Sequence, residues 1–180
     1  MMKRAQWRPL LGVSIAIAIT TTMDATGLTV FSALPLFPLM GLFWFLEKFS
    51  RSEMGFRLGK LSHHGLAVLH PVAVLGAASV IAALAGVVDL SKTDWTKTWL
   101  NLVLGGVTTI LVVILTEEGF FRGWLWGSLE RAGYSERWVL IWTSIAFSLW
   151  HVSAVALDTG FDLPPAQIPV FLVNAAAIGG

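Results

Sequence analysis

The sequence predicts an all-α, polytopic transmembrane helical bundle, and three observations carry that prediction. Hydrophobic residues make up 56% of the 180 positions and charged residues only 13%, with nine Trp and a mean hydropathy of +0.74. A soluble domain of similar length is far less apolar. The apolar residues fall into successive blocks separated by short polar loops. The basic residues cluster beside those blocks, which is the pattern of positive-inside topology; with a net charge of only +1, nothing points to a nucleic-acid partner. Cysteine is absent, which excludes disulfides, thiolate metal sites and cysteine nucleophiles together.

The chain opens with three basic residues in MMKRAQWR, followed by a first apolar helix from about Pro9 to Thr22, read as uncleaved because TTMDATG offers no small-x-small cleavage site. Asp24 and Gly27 are expected to mark a tight turn. A second helix runs from about Leu28 to Leu46, with Pro35 and Pro38 expected to kink it. From Glu47 to His64 the chain is polar and basic, with Lys48, Arg51, Arg57 and Lys60, which predicts a cytoplasmic loop on the same side as the N-terminus. A third helix, through Val72 to Val88, carries small residues (Gly76, Ala77, Ala78, Ala82, Ala83) suited to close helix packing.

An unusually long fourth helix is expected from about Thr98 to Glu130, and a fifth from about Trp138 to Leu157 after the connector RAGYSER. A sixth apolar segment starts near Ile168. From there to Gly180 it reaches roughly 20 Å against a hydrocarbon core of roughly 30 Å. The expectation is therefore about five full membrane helices plus the start of a sixth, in a single membrane-embedded domain (residues 1–180) that lacks its C-terminal part.

The stretch TEEGFFRGWLWG, residues 116–127, places Glu117, Glu118 and Arg122 inside the fourth helix. Each charge near the centre of a membrane helix opposes insertion by roughly 2.5–3.5 kcal/mol, so their presence calls for a functional reason. Glu118 and Arg122 are four positions apart, the favoured spacing for a helical ion pair. Glu117 points elsewhere, shares its face with Phe121, and is left as the candidate general base. The fourth and fifth helices should pack antiparallel about a midpoint near Tyr134. This sets Glu117 opposite His151, Gly119 opposite Ser148 and Gly123 opposite Ser144, so that small residues draw the two backbones together. A water held between Glu117 and His151 would be polarised for attack on a carbonyl. The alternative is a buried Glu–Arg–His network that only fixes helix packing.

HExxH, GxSxG, Walker and dinucleotide fingerprints are absent, and a zinc site would need a ligand beyond Glu117, Glu118 and His151. Ser144, Ser148 and Ser153 lie on the same helix as the histidine and read as packing residues.

Glu117-Glu118-Gly-Phe-Phe-Arg122, an EExxxR motif, followed on the next helix by Phe147-Ser-Leu-Trp-His151, an FxxxH motif, resembles the first two signatures of the CAAX-protease and bacteriocin-processing (CPBP) family of intramembrane endopeptidases. Met54-Gly55-Phe56-Arg57 is similar to a less specific upstream element of that family. The resemblance implies hydrolysis of a peptide bond in a membrane-associated protein or peptide, with Glu117 and His151 activating water and Glu118 and Arg122 supporting the site. Phe121 and Phe147 are expected to contact substrate. The family was long called metalloproteases, but a glutamate mechanism without metal is implied, and no cofactor is expected. The family's third signature, HxxxN or HxxxD, thought to stabilise the oxyanion, does not occur in these 180 residues, which is expected to reflect a chain cut short. A non-catalytic membrane interaction or immunity protein on the same scaffold is the alternative; a proton-coupled transporter is disfavoured because no inverted repeat is visible. The expected partners are the lipid bilayer and a peptide or protein substrate.

Overall fold

The computed structural model of the chain describes residues 7–57, 59–87, 89–160 and 163–179, and every regular element among them is helical. In order these are α1 (Trp7–Ala25), α2 (Leu36–Glu47), α3 (Leu61–Leu84), α4 (Trp95–Val113), a π-helical segment (Ile114–Leu125), α5 (Trp126–Arg131), α6 (Glu136–Trp150), α7 (Val152–Ala156) and α8 (Ile168–Ile178), with short 3-10 turns between some of them.

Four helical runs among the described residues are long and apolar enough to cross a membrane: Thr29–Glu47, Leu61–Leu84, Trp95–Arg131 and Glu136–Ala156. With the shorter apolar helix Pro165–Ala177, these runs agree with the expected all-α membrane bundle.

Several expected boundaries shift for local reasons. Asp24 belongs to the last turn of α1 and not to a turn outside it. The prolines divide the second segment, with Pro35 standing immediately before α2, where its missing N–H leaves no helical bond unmade. The third helix begins at Leu61, so His63 and His64 lie in its first turn and not in a loop. The fifth helix is interrupted at His151, which ends α6 and precedes α7.

Two compact units can be distinguished: residues up to Phe56 together with those from Thr109 onward, and residues Arg57–Thr108. In the second unit the small residues Gly76, Ala77 and Ala78 of α3 are exposed.

The first unit is built on the helix that runs through the π segment into α5. Gly119, Gly123 and Gly127 form a stripe along it, and α2 with its following loop lies against that stripe. A Cβ on Gly123 would sit 3.1 Å from the Met54 carbonyl oxygen, one on Gly127 2.8 Å from the Glu53 carbonyl oxygen, and one on Gly119 2.5 Å from Met40 Sδ. The expected apposition of Gly119 with Ser148 and of Gly123 with Ser144 is thus corrected. The glycines admit α2 and the Glu53–Met54 backbone, while the Ser148 hydroxyl donates to the Leu172 carbonyl of α8 at 3.0 Å.

Aromatic packing fills the remaining core. Trp124, fully buried, stacks on Phe43 with ring centres 4.4 Å apart. Its indole Nε1 donates to Glu47 Oε1 at 2.9 Å, and Ser128 Oγ donates to Glu47 Oε2 at 3.2 Å. Arg131 closes the other end of this seam. It donates to Glu53 Oε1 (2.6 and 2.9 Å) and to the Glu47 carbonyl (2.7 Å), and its guanidinium lies 3.8 Å from the centre of the Phe49 ring. These bonds hold a turn in which Lys48 adopts a left-handed conformation, φ +53°, uncommon for a residue with a side chain. The Glu53 carboxyl is held below its ordinary 4.5, at about 2, first by the Ser50 hydroxyl and amide and then by Arg131.

Candidate active site

The acidic pair stands in the π-helical segment, where backbone bonding runs from residue i to i+5 in place of i+4. Such geometry is rare in helices and recurs at functional sites; nothing in residue types announces it. Within this segment the two glutamates are treated differently. Glu118 is in an ion pair with Arg122, as its spacing predicted, and both are half-buried. Glu117, half-buried beside it, makes no hydrogen bond or ion pair among the described residues.

Phe121 and Phe147 meet edge to face with ring centres 5.1 Å apart, and both are buried. Each lies thirteen positions from Tyr134, so the expected midpoint of the hairpin agrees with the contact made. Glu117 is four residues before Phe121 and His151 four residues after Phe147. In an antiparallel pair both steps lead the same way, so the acid and the histidine leave the aromatic contact on the same side. No hydrogen bond joins Glu117 directly to His151 among the described residues.

His151 sits where α6 breaks, at φ −84° and ψ −8°. Its ring is surrounded by Phe147 (4.5 Å between ring centres), Trp150 (4.6 Å) and Phe171 of α8 (5.7 Å). Nδ1 lies 2.9 Å from the Phe147 carbonyl oxygen. A carbonyl only accepts, so Nδ1 carries the proton in this bond and Nε2 of a neutral ring keeps its lone pair.

Two polar residues that sequence reasoning left outside the site prove to be buried. Glu47 joins α2 to α5 as described above. Asp24 of α1 accepts a hydrogen bond at 2.6 Å from the hydroxyl of Ser153, two residues beyond His151. The signal for Asp24 was present in the sequence: Gly12, Ala16, Thr20 and Asp24 recur every four residues, and all four are buried.

Among the described residues no three His, Asp or Glu side chains come together in a group that could hold a metal ion. An apolar cavity of about 260 Å³ opens between α1, the motif helix and α6, lined by Leu10, Val13, Leu125, Leu129, Trp142 and Leu149 among others. None of Glu117, Glu118, Arg122 or His151 lines it, so this cavity is separate from the acidic pair.

Residues 97–179 match the family model described as Rce1-like, type II CAAX prenyl endopeptidase Rce1-like. Over these residues the chain is similar to that family. The matched segment contains both motifs and both helices of the hairpin, and it agrees with the resemblance carried by EExxxR and FxxxH. The Met54–Arg57 element lies outside the matched residues, but the structure gives it a physical role: Met54 is buried and its carbonyl packs against Gly123 of the matched segment. No curated protein and no solved structure matches the chain. The apolar helices and the match with a membrane protease family mark the chain as an integral membrane protein of peptidase type.

Proposed function

We propose that the protein is an intramembrane endopeptidase that hydrolyses a peptide bond of a membrane-associated protein or peptide with water activated by Glu117. The observation that carries this reading is the Phe121–Phe147 contact, with the unpaired Glu117 four residues before one ring and the half-buried His151 four residues after the other.

In this mechanism Glu117 takes a proton from a water molecule as its oxygen adds to the scissile carbonyl carbon. The neutral His151 ring, its Nδ1–H tied to the Phe147 carbonyl, accepts a hydrogen bond from the second water hydrogen at Nε2 and so orients the nucleophile. When the tetrahedral adduct collapses the C–N bond breaks, and the departing nitrogen receives the proton that Glu117 took up. Arg122 occupies Glu118 in an ion pair, which leaves Glu117 as the free carboxylate. Phe121 and Phe147, which wall this region, carry the substrate chain past it. The N-terminus and the basic loop from Lys48 to Lys60 face the cytoplasm, from which the site is reached.

The reading is tested with the full chain in lipid vesicles and a panel of single-span peptides, in water enriched in heavy oxygen. Hydrolysis by activated water puts one heavy oxygen into the new carboxylate in the first turnover, and Glu117→Gln abolishes cleavage. Undiminished cleavage by Glu117→Gln would sink the mechanism. A wild-type chain that cleaves nothing while retaining specific capture of a membrane peptide would favour the non-catalytic scaffold.

A further inference from the structure

The end of α1 brings a third acidic residue to the region of the histidine. Asp24 closes the buried stripe of Pro9, Gly12, Ala16 and Thr20, and it is only 1% exposed. Ser153 Oγ donates to its Oδ2 at 2.6 Å, while Oδ1 is buried with no hydrogen-bond partner among the described residues. One turn earlier Trp150 Nε1 donates to Thr20 Oγ1 at 2.7 Å, and Thr20 Oγ1 donates to the Ser32 carbonyl at 3.2 Å. Trp150 and Ser153 flank His151 in the chain. Helix α1 therefore grips both sides of the break between α6 and α7 at which His151 is presented.

Charge singles out the same residue. The elements packed against α6 and α7 carry Arg8 and Asp24 on α1, Glu117, Glu118 and Arg122 on the π segment, and Glu130 and Arg131 on α5, while α8 carries no ionisable side chain. Asp24, buried and bonded to Ser153 two residues beyond the histidine, is placed for its charge to act on the His151 ring. Burying a carboxylate with one oxygen unpaired costs stability, and a packing role alone would be filled as well by an apolar residue of similar volume. The unpaired oxygen calls for a reason other than packing.

We infer that Asp24 is a positioning residue for His151, anchored at the helix break through Ser153 and fixing the orientation and charge state of the imidazole from a third helix. In its catalytic consequence this rests on the proposed role of His151 beside the Glu117-activated water; in its effect on the ring it does not.

The test uses the full chain with ¹⁵N-labelled histidine in lipid nanodiscs. The ring resonances of His151 are identified by their loss in His151→Gln. Asp24→Asn, nearly isosteric and still able to accept from Ser153, should move the His151 ring resonances and leave those of His63, His64 and His70 in place. Thr20→Val, which releases Trp150 without changing charge, should move the His151 resonances less than Asp24→Asn does. Unchanged His151 resonances in Asp24→Asn, or an equal displacement in Thr20→Val, would overturn the inference. In a cleavage assay Asp24→Asn should lower kcat at least about tenfold with KM unchanged, less than the roughly 100- to 10,000-fold of losing an acid–base group. It should cause no further loss within the residual activity of His151→Gln; an independent, additive loss would again count against it. If Asp24→Asn moves the ring while Glu117→Gln still cleaves, the proposed mechanism fails and the positioning role stands.

Discussion

Where α2 and its loop meet the motif helix, each polar group described there has a partner: Trp124 and Ser128 on Glu47, Arg131 on Glu53 and on the backbone of the Lys48 turn. Elsewhere in the same unit Glu117 has none among the described residues, and Asp24 keeps one buried oxygen unpaired. Both regions bury charge in an apolar protein, yet only the first satisfies it. A satisfied network holds helices together, whereas an unsatisfied carboxylate costs stability and persists where chemistry requires a free lone pair. The comparison therefore separates residues whose removal should unfold the protein from residues whose removal should silence it.

The largest stability effect should come from Glu47, whose side chain is 6% exposed. Glu47→Ala leaves Trp124 Nε1 and Ser128 Oγ without their acceptor and should cost about 2–4 kcal/mol, read by chemical denaturation in detergent. A loss near zero would dissolve the distinction between the two regions. The glycine stripe offers a finer test. Gly127→Ala drives a Cβ onto the Glu53 backbone and the Phe49 ring and should cost about 1–3 kcal/mol. Gly119→Ala meets only the flexible end of Met40 and should cost less than about 1 kcal/mol. Equal losses at the two positions would mean that the loop backbone yields as readily as a methionine side chain.

The smallest effect is expected at Glu53. Because the fold holds this carboxyl at about 2, below its ordinary 4.5, its contribution is fully present above 4.5 and fades as the pH falls through about 2. The difference in thermal stability between wild type and Glu53→Gln should shrink over that window. A difference that persists at the acid end would assign the tether to Arg131 acting on the Glu47 and Lys48 carbonyls instead.

How far the sequence could be read follows the same physical lines. The depth register of the hairpin was legible, because a short connector and helical spacing determine which residues lie level, and Phe121 and Phe147 meet accordingly. Which face of the motif helix turned toward α6 was not legible. Gly119, Gly123 and Gly127 would accept any close neighbour, and the choice of α2 over α6 depended on a turn at Lys48 with no glycine to mark it. The pairing of Glu118 with Arg122 followed from spacing alone. The π-helical geometry beneath it has no residue signature, and neither does the break at His151, which lies in an apolar run without Pro or Gly. Asp24 was readable from its fourfold stripe with Gly12, Ala16 and Thr20, but its position next to a glycine turn disguised it as a loop residue.

The most direct measurement of the central claim sets Glu117→Gln beside Glu47→Gln, scoring peptide cleavage per folded molecule and unfolding free energy on the same samples. The account predicts that Glu117→Gln keeps wild-type stability and loses cleavage by roughly 100-fold or more. Glu47→Gln should lose stability and keep cleavage in the fraction that remains folded. If Glu117→Gln unfolds the protein as Glu47→Gln does, or cleaves as wild type does, the division into a structural side and a reactive side is contradicted.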